Sequence, residues 1–230
     1  PRSTLFPYTT LFRSLAVNAV NAARSSYGLN CPRVIEMDRP LVMSPNYTES
    51  ERAAGSVEGF ENLFYLLDKY RGEYDAVAIA SVISTPLHYY SDYFCSDGDI
   101  VNPWGGVESM LTHTISSLYD LPSAHAPMLE SQAVLDIETG VVDPRMAAEV
   151  ISVSFLQCVL KGLQRSPKII RDPEAMRDLG VLTARDISCL VIPDGCLGLP
   201  TFAALEQGIP VIARSEEHTS ELQSHPNLVC

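Results

Sequence analysis

The residue best suited to proton transfer is His125. It stands in Ser123-Ala124-His125-Ala126-Pro127, an uncharged and non-helical stretch where packing gives little reason for an imidazole. A second polar group is the loop Pro193-Asp194-Gly195-Cys196-Leu197-Gly198. Gly195 and Gly198 allow a backbone to approach a ligand closely, and Asp194 can orient a hydroxyl or accept a proton. Cys196, beside a helix start, is either an activated thiol or a small packing residue. A third group runs from Asn102-Pro103-Trp104-Gly105-Gly106-Val107-Glu108 to His113, combining a glycine pair at a helix entry with the single Trp, an acid and an imidazole. Glu108 reads first as a first-turn acid complementing the helix dipole, and His113 as a boundary histidine or a member of the site.

Together these residues predict a site in which His125, His113, Asp194 and Cys196 are the catalytic groups. Asn102, Trp104, Gly105, Gly106, Gly195 and Gly198 are expected against the substrate, with Arg145 supplying a cation for its negative charge. The chemistry expected is acid/base catalysis on a small carboxylated or phosphorylated metabolite, with no cofactor identified. The reading from another class is a non-catalytic metabolite-binding or interaction protein. His88, Asp92, His113 and His125 offer donors that suit several divalent ions, but no pair has a metalloprotein spacing and no metal is expected. The sequence holds no Walker loop, GxGxxG, GxSxG or HExxH.

The elements that must carry these groups follow from periodicity. Leu15 to Ser26 reads as a helix with Asn18 and Asn21 on one face, Arg33 to Met37 as a short strand, and the stretch through Tyr47 as a loop bearing proline and serine. From Val57, the residues Phe60, Leu63, Phe64, Leu67 and Tyr70 recur at helical spacing until Gly72. Ala76 to Ile83 is an unbroken apolar run, the pattern of a parallel strand covered on both faces. An aromatic loop, Pro86 to Phe94, precedes a helix from about Val107 to Leu118, with His113 near the margin of its apolar stripe. Leu121 to Leu129 reads as a loop or short strand. Asp143-Pro144 starts a central helix to about Gln164, and Asp172-Pro173 starts a short one closed by Gly180. Ile187 to Ile192 (a buried strand), Pro200 to Gln207 (a helix) and Ile209 to Ala213 (a strand) form a βαβ unit. The fold predicted is a layered, mostly parallel, Rossmann-like α/β sheet with helices on both faces. Its site lies in the loops at the carboxyl ends of the strands.

Composition narrows the partners. With 28 acidic against 16 basic side chains, a net charge of −12, the chain repels a phosphate backbone, so nucleic acid is not an expected partner. Lys161, Arg165, Lys168 and Arg171 are the one basic cluster, and they read as cations near a helix end. No apolar run is long enough to span a bilayer, so no membrane partner is expected, and a homo-oligomer is compatible with the sequence. Cys31, Cys95, Cys158, Cys189 and Cys196 lack CxxC spacing, which fits reduced thiols in a cytoplasmic setting.

Both ends read differently from the rest. Tyr8 to Ser14 and Arg214 to His225 back-translate codon for codon into the two halves of a short-read sequencing adapter. Residues 1–14 and 214–230 are therefore set aside as adapter-derived, with His218, His225 and Cys230. Residues 15–213 are expected to be a fragment of one α/β domain truncated at both ends, in two lobes if a boundary falls near 165–185.

Four stretches carry a resemblance. They are Asn102 to Glu108, Ala124-His125-Ala126-Pro127, and Val142-Asp143-Pro144-Arg145-Met146-Ala147-Ala148-Glu149 through Phe155 to Leu163, followed by Gln207-Gly208-Ile209-Pro210-Val211-Ile212. Their order resembles the domain-of-unknown-function family 3326 over most of residues 15–213, which implies no particular activity. Asp194-Gly195-Cys196 with Gly208 to Ile212 is also similar to a half-site of the aspartate/glutamate racemase superfamily, where cysteines shuttle a proton; Cys158 or Cys95 would have to supply the second thiol. Asp194 through Ile212 is similar as well to the nucleotide-sugar end of a two-domain glycosyltransferase.

Overall fold

A computed structural model describes residues 3–5, 10–96, 100–128, 140–142, 146, 155–178, 180–194 and 197–214. The chain divides into two units, Pro1–Ile169 and Ile170–Cys230.

The first unit is organised by β5 (Ala76–Val82), whose residues through Ser81 are all buried. The apolar run behaves as expected: β5 pairs in parallel with β1 (Ser3–Leu5) on one side and β6 (Ser123–Met128) on the other. Beyond β1 lies the two-residue β2 (Arg33–Val34), so the strand order is β2-β1-β5-β6. Side chains alternate across β5. Ala76, Ala78 and Ala80 join Ala126 and Met128 of β6 beneath α1 (Thr10–Tyr27) and α5 (Leu156–Leu163). Val77 and Ile79 face the other way, onto α2 (Phe60–Lys69) and α4 (Gly105–Tyr119) through Leu63, Leu67, Leu111 and Ile115. Each of these fully buried aliphatic side chains contributes about 1.5–3 kcal/mol. The short alanine side chains on one face let α1 and α5 lie close to the strand.

Three segments depart from the sequence reading. The stretch expected as a loop through Tyr47 contains β3 (Val42–Tyr47), which forms an antiparallel hairpin with β4 (Ala53–Glu58). Its inward positions are Met43, Pro45 and Tyr47, and Pro45 hides the apolar alternation while lacking an N–H for the ladder. The expected helix start at Val57 moves to Phe60, because Val57 belongs to β4 and Gly59, at φ 90°, turns the chain into α2. The aromatic loop 86–94 is instead a helix, α3 (Leu87–Phe94). Pro86 precedes its first turn, and Tyr90, Tyr93 and Phe94 meet Trp104 at helical spacing.

Regular structure also extends into the amino-terminal stretch set aside above, as β1 and the first turn of α1. A strand slot beside β5 is filled by main-chain hydrogen bonds, which any extended tripeptide supplies.

The second unit holds two short 3₁₀ turns, Ala175–Arg177 and Ala184–Asp186. Its βαβ unit is β7 (Leu190–Pro193), α6 (Leu199–Glu206) and β8 (Val211–Arg214), with β7 and β8 parallel. The strand expected as buried is not: Val191 is 58% exposed, since a two-stranded sheet with one helix covers little of its own surface. The chain is thus α/β; among the described residues there are three sheets, of four, two and two strands, and the hairpin sheet is antiparallel rather than part of one parallel layer.

Candidate functional site

His125 enters the sheet through β6, where it pairs in register with Ile79 of β5. Paired residues of neighbouring strands point to the same face, so His125 lies diagonally beside Ser81 on the side covered by α4. The imidazole Nε2 is 2.8 Å from the Ser81 Oγ, and Nδ1 is 2.7 Å from the Glu108 Oε1. The His125 side chain is 1% exposed and that of Glu108 27%, and Ser81 is buried. Three polar residues thus form a hydrogen-bonded chain from the sheet interior to the first turn of α4. Ser81 was not singled out by sequence; its only signal was a hydroxyl inside an otherwise apolar strand.

The position of Glu108 is set by glycines. A Cβ on Gly106 would stand 2.3 Å from the Ala53 carbonyl oxygen, and one on Gly55 would stand 2.5 Å from that of Ser44. The start of α4 therefore lies directly on the β3–β4 hairpin, where any side chain would push it away. Asn102 fixes the same end, its Oδ1 accepting from the Trp104 and Gly105 backbone N–H groups at 2.9 and 3.1 Å. Trp104 donates its indole N–H to the Thr85 Oγ1 at 3.0 Å and packs against Tyr90, Tyr93 and Phe94. Asn102, Trp104 and Gly106, expected against substrate, here orient the helix that carries Glu108, while a Cβ on Gly105 would make an ordinary contact with the Asn102 Oδ1 at 3.9 Å.

A carboxylate at Nδ1 holds the imidazole hydrogen there and leaves the Nε2 lone pair facing the serine hydroxyl. Ser81 has one hydrogen and a second acceptor, the Met43 Sδ at 3.2 Å. A hydrogen donated to Met43 requires a protonated Nε2, so the chain has two internally consistent hydrogen-bonding states. Burial strengthens each of these bonds and makes each costly to leave unmade.

His113 is on α4 but exposed, on the side opposite Leu111 and Ile115, and takes no part in the chain of bonds. Asp194 and Gly198 belong to the second unit. There Asp194 is exposed after β7, its N–H donating to the Arg214 carbonyl, and Gly198 precedes α6. Arg145, Gly195 and Cys196 lie outside the described residues, as does most of the helix expected from Asp143. Cys31, Cys95, Cys158 and Cys189 form no disulfide. Among the described residues no three His, Cys, Asp or Glu side chains gather in a way that could hold a metal ion, and no helix is long and apolar enough to cross a membrane.

Comparison with known proteins gives two findings. The model of a family described as "Protein of unknown function (DUF3326)" matches residues 8–229. A Synechococcus protein named as an uncharacterized lipoprotein is 25% identical over 201 residues, covering 86% of this chain and 54% of its own length. The chain therefore spans about half the length of that relative. No solved structure matches.

Proposed function

The chain belongs to the DUF3326 family, and from that premise we propose that it is an enzyme using acid/base chemistry on a small anionic metabolite, with His125 at the centre of its site. The observation that carries this reading is the Glu108–His125–Ser81 chain. One residue of an apolar sheet face and one of a helix start orient a single imidazole, the group whose proton affinity suits catalysis near neutral pH. Its location also agrees, since Ser81 is near the carboxyl end of β5, where parallel sheets bind ligands. We retain the doubly wound, Rossmann-like arrangement as the fold that such a site implies. Arg145 remains the choice of cation for the substrate, and Asp194 and Cys196 remain candidates for a second set of groups. Cysteines outside disulfides at Cys31, Cys95, Cys158 and Cys189 favour a reducing, cytoplasmic compartment; the lipoprotein name belongs to the relative.

The non-catalytic reading is favoured by one observation, the burial of His125 and Ser81, which suits a network that only stabilises the sheet. A thermal-shift screen with small carboxylates and phosphate esters separates the two. We expect at least one such compound to raise the melting temperature of the chain, and the shift to vanish in Glu108→Gln and His125→Gln, as linkage requires for a ligand of the native site. Stabilisation that persists unchanged in both folded variants removes these residues from the binding account and the proposal with them.

A further inference from the structure

We infer that Ser81 is a nucleophile, and that the chain Ser81–His125–Glu108 transfers the acyl group of a small carboxylic ester or thioester. This inference rests on the reading of His125 as a catalytic base and names what that base acts upon. Both ring nitrogens of His125 are committed, Nδ1 to Glu108 at 2.7 Å and Nε2 to Ser81 at 2.8 Å. A base whose free lone pair faces a serine hydroxyl takes its proton from that hydroxyl. The three groups have the order and separations that activate a serine: acid to Nδ1, Nε2 to Oγ, each within hydrogen-bond reach.

The supporting structure favours the same role. Ser81 stands in register with Pro127 of β6, so the β5–β6 ladder holds its stretch of backbone. Glu108 is the partly exposed end of the chain and His125 the buried middle, where low polarity of the surroundings strengthens both of its hydrogen bonds.

In the first half-reaction the Ser81 Oγ bonds to the acyl carbon while its proton passes to the His125 Nε2. The bond from carbon to the leaving oxygen or sulfur breaks with its electron pair, and that atom takes the proton from Nε2. In the second half, water bonds to the acyl carbon and gives a proton to Nε2, and the Oγ–carbon bond breaks as Oγ recovers that proton. The net result is ester plus water to acid plus alcohol, with the Glu108 carboxylate holding the imidazolium through Nδ1 at each stage.

The test treats the full chain with an alkyl fluorophosphonate and reads the intact mass and the modified peptide. We expect a single adduct on Ser81, absent from Ser81→Ala and from Ser81→Cys. The cysteine variant keeps a side chain of similar size in the slot and reports on folding through an unchanged melting curve. In His125→Gln the labelling rate should fall by about 10²- to 10⁴-fold, the usual worth of a general base. An unmodified Ser81, or labelling at the same rate in His125→Gln, overturns the inference. If Ser81 stays unmodified while small carboxylates or phosphate esters still stabilise the chain through His125 and Glu108, the nucleophile is refuted and the acid/base reading stands. Loss of both results refutes both.

Discussion

Replacing Gly106 by alanine tests how Glu108 is held. The added Cβ would lie 2.3 Å from the Ala53 carbonyl oxygen, 2.4 Å from its carbon and 2.6 Å from the Ala54 nitrogen, all backbone atoms of a paired strand. Relief to an ordinary contact requires the start of α4 to move by about 1 Å, at an overpacking cost of about 1–3 kcal/mol. Alanine recovers at most ~1 kcal/mol of helix propensity over glycine. With that gain in full, the net loss is about 0–2 kcal/mol, or a fall in melting temperature of up to roughly 8 °C for a chain of this size. The same displacement would stretch the 2.7 Å Glu108–His125 contact beyond hydrogen-bonding range. Gly105→Ala is the matched control, since its Cβ would meet nothing closer than the Asn102 Oδ1 at 3.9 Å. Urea unfolding measures the stability difference, and the ¹⁵N-edited NMR signal of the His125 ring N–H reports the bond to Glu108. Equal stability of the two variants, with the His125 signal intact in both, would refute the argument that the glycine places the acid.

Two further outcomes follow from buried polar groups. Trp104→Phe keeps most of the ring packing against Tyr93 and Phe94 but removes the indole N–H donated to Thr85, and should cost about 1–2 kcal/mol in urea unfolding. The Tyr74 hydroxyl donates to the Leu67 carbonyl at 2.7 Å, and burial pushes its pKa up to about 12. The folded state therefore holds this proton more tightly than the unfolded state. Its contribution is complete below about pH 10 and declines as pH rises from about 10 to about 12, so Tyr74→Phe should flatten that part of the stability profile measured by urea unfolding.

Much of the framework was legible in the order of residues. The run from Ala76 to Val82 is apolar at each position except Ser81 and has the length of a strand covered on both faces, so β5 could be placed without coordinates. The spacing of Leu63 and Leu67 marked α2, and the glycine and proline signals marked the βαβ unit at Leu190–Arg214. His125 stood out because its neighbours gave no local reason for an imidazole. The hairpin and α3 were harder to read, since Pro45 breaks the alternation of β3 and aromatic side chains at helical spacing look like a loop when Trp104, their packing partner, lies outside the segment.

What only tertiary structure decided is the company His125 keeps. Sequence spacing put His113 beside it as a candidate and left Glu108 to the helix dipole. The rotation of α4 that buries Leu111 and Ile115 turns His113 outward, while the close seat of Gly106 on the hairpin brings Glu108 down onto the imidazole. Ser81 joins them through strand register, a relation between residues 44 apart that pairs Ile79 with His125 and leaves the serine on the diagonal. Local periodicity fixes which face of an element is apolar. The side chains that meet across two elements depend on register and on how closely backbones can approach, and those are set by contacts distant in sequence.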